Sequence, residues 1–303
     1  MRRMLVIVVT YNGMRWLSRC LGSVTDADVM VIDNASADGS ADFVADNYPE
    51  ARLVRNSSNE GFSKPNNEGF KYAMEKGYDY VYLLNQDAWL EDGTLDKLIA
   101  AADANPDYAI LSPMQYQDGY EALDHQFSAA AGTLFQNRRF ATPPTSWPPP
   151  SYAVEGGTGS ERVCLPLLRI MAAHWLVRVS ALREIGLFNE ELFPFWGQDD
   201  DWCNRARFHG YKIGVVPEAR AVHDRAQRDE PLERTVQRNY FTGSLVRLAD
   251  INRPLWDALC YVFAFTFVKV FKYRSFLPLK YLRSIFSRLK EVREHRASLR
   301  MRA

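Results

Sequence analysis

Between Met4 and Pro113, apolar and polar positions fall into two kinds of block that take turns. Met4–Thr10 is a continuous apolar run, as expected of a strand buried on both faces. Gly13–Val24 follows with helical spacing, which puts Trp16, Leu17, Cys20, Leu21 and Val24 on one face. The same reading predicts strands at Val29–Ile32, Arg52–Val54, Tyr80–Leu84 and Tyr108–Ser112, and helices at Gly39–Asn47, Pro65–Lys76 and Thr94–Ala104. Pro65 suits a first helical turn, where the N–H it lacks would go unpaired anyway. Strand and helix in this succession predict an α/β fold on a doubly wound, mostly parallel sheet.

The pattern degrades between Asp118 and Gly159, where Thr142–Ser151 holds five prolines and Gly156-Gly157-Thr158-Gly159 follows. A loop of that length is expected to be functional or disordered. Regular spacing returns at Cys164–Val179, then predicts helices around Ala181–Ile185 and over Trp202–His209, with a strand at Ile213–Val216. Beyond Pro231 the chain reads as helical in three segments: Glu233–Ala249, Leu255–Phe271 and Leu279–Arg300. The predicted organisation is an α/β unit over 1–230, in halves 1–113 and 114–230, and a helical region over 231–303.

Charge changes the picture mainly by its distribution. The formal net charge is zero, which removes any global case for a nucleic-acid partner. From Lys269 onward, however, basic residues far outnumber acidic ones, and this predicts an anionic surface opposite the tail. Leu255–Phe271 is rich in Phe, Tyr and Val. A helix lying on a membrane surface and a hairpin packed on the α/β unit are both open readings. That segment carries Asp257 and Lys269, and nowhere are there the ~20 uninterrupted apolar residues of a spanning helix. The first apolar run ends at Thr10-Tyr11-Asn12 without a small-residue cleavage site, which argues against a signal peptide. Cys20, Cys164, Cys203 and Cys260 lack metal-type spacing and read as reduced thiols. A cytoplasmic protein is expected, either free or peripheral on the inner face of the membrane.

In open α/β sheets ligands bind beyond the carboxyl ends of the strands. Three such ends are polar here: Thr10-Tyr11-Asn12, Asp33-Asn34-Ala35-Ser36 and Asn85-Gln86-Asp87. Each alone would be an ordinary cap or turn; together they predict a nucleotide site. A nucleotidyltransferase would want a glycine-rich, basic first loop, and Thr10–Gly13 is neither.

Several strings resemble family 2 glycosyltransferases of the GT-A fold, and most of all the rhamnosyltransferase-like branch that builds surface polysaccharides. They are Val8-Val9-Thr10-Tyr11-Asn12, Val31 to Ser40, Asn59-Glu60-Gly61-Phe62 and Leu83 to Ala88. The similarity continues through Phe188-Asn189-Glu190, Gln198 to Arg205, His209 to Ile213 and Pro217-Glu218-Ala219, ending at His223. Ordered motifs at family spacing are far more specific than any one of them.

The resemblance implies an inverting, metal-dependent transferase that moves a hexose or deoxyhexose from a UDP- or dTDP-sugar to a glycan or polyprenyl-linked acceptor. Asn85-Gln86-Asp87 matches the metal-binding motif, with Asn85 in place of the first carboxylate, and His223 matches the histidine that completes the coordination. Asp87 and His223 are then ligands to Mg2+ or Mn2+, which suit carboxylate, imidazole and water. Asp199 matches the general base that takes the acceptor's proton; Gln198 stands where the family usually has Glu. Asp201 reads as the N-cap or first-turn acid of the following helix. Thr10, Tyr11, Asp33 and Asn34 are expected around base and ribose. Lys64 and the N-terminus of the helix it opens are candidates for phosphate, and Asn66 and Asn67 for capping that helix. Trp196, Gln198 and Trp175 are the acceptor candidates, with core packing the rival role for Trp175 and Trp202. A degenerate, non-catalytic sugar-nucleotide or glycan-binding subunit is the rival function; the joint presence of Asp87, Asp199 and His223 argues against it.

Overall fold

The computed structural model describes residues 2–128, 165–225 and 231–301. The proline run Thr142–Ser151, the Gly156–Gly159 stretch and Cys164 lie outside them. Three strand–helix units and a fourth strand come first: β1 (Met4–Thr10), α1 (Met14–Gly22), β2 (Asp28–Asp33), α2 (Ser40–Asn47), β3 (Arg52–Arg55), α3 (Ser63–Lys76) and β4 (Tyr80–Asn85). Then come β5 (Ala88–Leu90), α4 (Thr94–Ala104), β6 (Tyr108–Tyr116), β7 (Leu165–Leu167), β8 (His174–Arg178), α5 (Val179–Ile185), α6 (Gln198–Phe208) and β9 (Lys212–His223).

These strands make one mixed sheet in the order β3-β2-β1-β4-β8-β6-β9-β5, with β7 also on β9. The pairings make β1–β4, β6 and β9 run one way, while β5, β7 and β8 run against them. Period-two alternation sorts the core onto both faces of the sheet. In β1, Leu5 and Ile7 join an apolar cluster with α3, α5 and α6. Met4, Val6 and Val8 point the other way, to α1, α2 and α4.

Several boundaries differ from expectation for physical reasons. β5 has three residues, too few to show a period. β9 merges the expected strand at Ile213–Val216 with the segment that follows, and its register against β6 shifts between Pro113 and Met114. Helix α6 starts at Gln198, four residues before the predicted Trp202, because Gly197 takes a left-handed turn (φ 88°) and opens it. A Cβ there would also press on Thr242 and Val246. Asp201 is therefore not a cap but the fourth helical residue, fully buried.

The C-terminal region is helical throughout: α7 (Leu232–Val236), a π-helical stretch over Gln237–Thr242, α8 (Gly243–Ala249), α9 (Leu255–Tyr273), α10 (Leu277–Ser287) and α11 (Leu289–Arg300). The predicted last helix is split at Arg288. These helices have their own apolar cluster, which Leu192 and Phe193 from the α/β part join. No described helix is long and apolar enough to cross a membrane. Cys20 and Cys203 are buried free thiols and Cys260 is an exposed one.

Candidate active site

The register of the sheet brings the three polar strand ends together. Thr10 of β1 lies opposite Asp33 of β2, and Val9 opposite Asn85 of β4. Gln86 clips the end of β4 to that of β1: its Oε1 accepts from Thr10 Oγ1 and from the Tyr11 N–H, each at 2.8 Å. The loops after β1 and β2 are laced side chain to backbone. The Asn12 N–H donates to Ser36 Oγ (2.9 Å), the Ala37 N–H to Asn12 Oδ1 (2.9 Å), and the Met14 N–H to Asp38 Oδ2 (3.0 Å). Asn12 and Ala35 hold left-handed φ values of 51° and 61°, uncommon for residues with a Cβ and sustained here by that lacing.

Asp33 is buried, and only its Oδ2 has a partner, the Ser36 N–H at 3.0 Å. Its Oδ1 has none among the described residues, so an acceptor is free at a strand end where a buried one rarely is. Tyr11 stands exposed at the rim. Asn34 is held from within the protein. Its Nδ2 donates to the Gly61 carbonyl (2.7 Å) and its Oδ1 accepts from Asn56 (2.9 Å), so its side chain ties loops together.

Lys64 is placed otherwise than a phosphate ligand would be. It is exposed and paired with Glu60 at 2.5 Å. At the start of α3, the Phe62 and Ser63 N–H groups donate to the Pro194 carbonyl (2.8 and 3.1 Å) rather than standing free for an anion. Asn66 bonds back to the Phe62 carbonyl, and Asn67 anchors the Phe188 backbone at both N–H and C=O. Gly61 makes this docking possible: at φ 86°, a Cβ would lie 2.5 Å from the Pro194 oxygen. The nucleotide-side loop thus carries the segment that leads into α6.

Asp87 follows β4, and its carboxylate Oδ1 lies 3.5 Å from His223 Nε2 at the end of β9. Backbone pairing of β5 with β9 and the Asp224 N–H on the Asp87 carbonyl (2.8 Å) fix the pair. Burial alone would raise the Asp87 carboxyl, but the His223 hydrogen bond and charge, helped by Arg225, hold it below its ordinary value. It is therefore a carboxylate at neutral pH. His223 is 4% exposed, and its Nδ1 is buried without a partner among the described residues. Behind it, edge-on at 6.4 Å, sits the fully buried His174. His174 is bonded to Tyr82 Oη and to the Val222 carbonyl, each at 2.9 Å. Burial, followed by the nearby His223, pushes its pKa down to about 3, so the ring is neutral. No motif marked His174; its spacing along β8 is that of any core residue.

Asp199 is the second residue of α6, partly buried, with Oδ1 accepting from the Asp200 N–H (2.9 Å). Burial and the neighbouring Asp200 charge push its carboxyl up to about 7. Asp200 pairs at the surface with Arg169 (3.2 Å). Asp201 turns inward, to Arg205 Nε (2.9 Å) and His295 Nε2 (3.0 Å) of α11. The segment before β8 links the two acidic centres, since Arg169 meets Asp200 while the Ala173 carbonyl accepts from the Asn85 N–H (3.1 Å).

Of the acceptor candidates, Trp196 is half-buried beside exposed Phe195, with the Arg234 guanidinium 5.6 Å above its ring. Gln198 is buried, and its Oε1 has no partner among the described residues. Trp175 is a correction: it is wholly buried and packs on Trp202 and Phe188, because its position in β8 faces the core. Among the described residues no three metal-type side chains gather, so any cation at Asp87 and His223 would draw its remaining ligands from elsewhere.

The sheet thus carries carboxylates, Asp33 and Asp87, at the strand ends beyond which open α/β sheets bind ligands, and comparison with known proteins identifies the family. A mannosyltransferase from Pyrobaculum calidifontis, solved with GDP-Man and Mn2+, superposes with a TM-score of 0.58 over 95% of this chain and 76% of its own, at 17% identity. Staphylococcus aureus TarS residues 1–349 superpose with 0.55 over 84% and 68%, at 16% identity. Residues 5–158 match the family described as Glycosyl transferase family 2, and the chain belongs to it and is a glycosyltransferase. Similar sequences include an N-acetylglucosaminyl-diphospho-decaprenol L-rhamnosyltransferase of Mycobacterium tuberculosis, 26% identical over 84% of this chain and 86% of that protein. Another is the dTDP-rhamnosyl transferase RfbF of Shigella flexneri, 23% identical over 72% and 67%.

Proposed function

We propose that this chain is an inverting, cation-dependent transferase of surface-polysaccharide synthesis. It moves a sugar from dTDP-rhamnose or a UDP-hexose to a hydroxyl of a glycan carried on a polyprenyl lipid. The observation that carries the reading is the Asp87–His223 pair, a carboxylate kept ionised 3.5 Å from an imidazole whose other nitrogen is buried and has no partner among the described residues. Those donors fit Mg2+ or Mn2+, with phosphate oxygens and water completing the shell. When bound, the cation supplies charge neutralisation for the departing diphosphate.

The chain's own groups do the rest. Asp33 Oδ1 accepts from a ribose hydroxyl or a base N–H, and Tyr11 offers its ring to the base. Asp199 takes the proton of the acceptor hydroxyl as that oxygen bonds to the anomeric carbon. The carbon's bond to the diphosphate oxygen breaks on the opposite face, so configuration inverts. Trp196 and Phe195 offer aromatic faces to the acceptor sugar. The names of the rhamnosyltransferase relatives support the donor and the lipid-diphosphate acceptor.

Peripheral membrane contact belongs to the same proposal. Helix α9 buries its small side, Ala258, Val262 and Thr266, and exposes Trp256, Phe263, Phe267, Val268 and Phe271. Soluble helices bury their aromatic side, so this inversion suits a surface laid against lipid.

Thermal unfolding with UDP, dTDP or GDP, with and without Mn2+, tests the donor site on the wild type and Asp87→Ala. Ligand at a hundred times its Kd stabilises by about 2.7 kcal/mol. UDP or dTDP should raise the wild-type melting temperature only with the metal, and the variant should lose the response. A wild type indifferent to every nucleotide, or a variant that responds equally, refutes the assignment.

A further inference from the structure

A polar cavity of about 560 Å3 lies between α6 and the C-terminal helices. That is the size range of small-molecule sites. Arg169, Arg207, Arg247 and Arg253 line it, with Tyr261 and Phe265 of α9, against only two carboxylates, Asp200 and Asp250. Those acids hold Arg169 (3.2 Å) and Arg253 (2.6 Å). Arg207 spends one terminal nitrogen on the neutral Asn204 (2.6 Å). Arg247 reaches Asp257 with one nitrogen at 3.3 Å and lies 4.4 Å over the Tyr261 ring. The Nε–H groups of both Arg207 and Arg247 are buried and find no acceptor among the described residues. These two guanidinium groups are therefore incompletely paired within the protein, and beside Arg169 and Arg253 they give the cavity a cationic wall that suits an anion.

We infer that this cavity binds the diphosphate of the acceptor lipid; the inference rests on the transferase reading above. Position supports it, because Asp200 in the wall belongs to the same first turn of α6 as Asp199. An acceptor sugar whose hydroxyl meets Asp199 can extend its anomeric phosphate round that turn toward the arginines. Guanidinium groups match phosphate oxygens two at a time. The apolar wall points to the lipid end: Tyr261 and Phe265 sit on α9, whose other side exposes Trp256, Phe263, Phe267 and Phe271, so the helix that walls the cavity is also the one offered to the bilayer. The donor's diphosphate belongs elsewhere, beside Asp87.

The test is calorimetric titration of the full chain with farnesyl diphosphate, at saturating UDP or dTDP with Mn2+ so that the donor site is filled. Farnesol and phosphatidylglycerol vesicles are the parallel titrants. The wild type should bind farnesyl diphosphate but not farnesol, and Arg207→Gln and Arg247→Gln should each weaken that binding tenfold or more. Melting curves check folding; Arg247, whose side chain is 28% exposed, carries the test should Arg207→Gln fail to fold. Equal affinity in wild type and variants overturns the proposal. So does displacement of farnesyl diphosphate by the nucleotide, which would place it in the donor site, or a loss confined to vesicle binding, which would make the cavity a headgroup site. Failure of the transferase reading shows separately, as absence of the nucleotide thermal shift.

Discussion

Asp199→Asn separates chemistry from stability in a single substitution. The side chain keeps its shape and its hydrogen bond to the Asp200 N–H but can neither ionise nor take a proton. On the proposed mechanism, transfer falls by about 10^2 to 10^4, the range for loss of a positioned general base. Wild-type kcat/KM should rise tenfold per pH unit up to about 7 and then level off, because only the carboxylate is competent.

Stability moves the other way. Folded Asp199 holds its proton to about 7, whereas an unfolded Asp releases it near 3.9. Between those values the folded state binds more protons, so its stability declines as pH rises and is flat above. Asn keeps the neutral form's stability throughout. At about 1.4 kcal/mol per pKa unit the ceiling is about 4 kcal/mol, and sharing of charge with Asp200 and partial solvent access reduce the expectation to about 2. Asp87 and Asp201 are common to both proteins, so the difference curve reports Asp199 together with the Asp200 charge beside it. Urea midpoints at pH 5 to 9 measure it. A variant no more stable than the wild type at pH 8 refutes the burial argument, and one retaining more than about a tenth of the transfer rate refutes the base assignment.

Three further outcomes follow from the packing. Gly61→Ala combines a left-handed φ with a Cβ 2.5 Å from the Pro194 oxygen, so denaturant unfolding should show a loss of about 2 kcal/mol or more. Arg205→Met strands the buried Asp201 carboxylate and frees the carbonyls of Ile185 and Leu187. The same measurement should show a loss of about 3–5 kcal/mol, partly recovered when Asp201→Asn is added. Phe267→Glu with Phe271→Glu should abolish co-sedimentation with anionic vesicles while stability changes by no more than about 0.5 kcal/mol, since both rings are exposed.

What could be read in the residues beforehand was whatever has a short period or a local motif. β1 to β4 and their helices announced themselves by alternation, and the polar strand ends by topology. β5, with three residues, and the early start of α6 at Gly197 have no such local signal. The partners of Asn34 and Trp175 lie far along the chain and could not be read locally; for Trp175 they decide for core packing over an acceptor role. Asn34 is claimed by Gly61, and Trp175 by Trp202 and Phe188. Asn34 occupies a motif position all the same, and the lacing it provides is a reason for Asn there that needs no ligand. Lys64 shows the same limit, its charge engaged by Glu60 one turn away.

The three aspartates at the start of α6 show how one helical turn distributes different work. Successive side chains on a helix diverge, so Asp199, Asp200 and Asp201 face three directions. Asp199 remains without a basic partner within hydrogen-bond reach among the described residues and is destabilised as an anion, which suits a base. Asp200 joins Arg169 on the wall of the cationic cavity. Asp201 is spent on Arg205 and on His295, with Asn189 holding the far nitrogen of that imidazole at 3.0 Å. Through His295 the orientation of α6 depends on α11, and through Gly197 its start depends on the packing of Thr242 and Val246. The C-terminal helices therefore bear on where Asp199 points. Shifting them on a lipid surface would alter the angle of the base, so vesicles should change kcat as well as the KM for the acceptor.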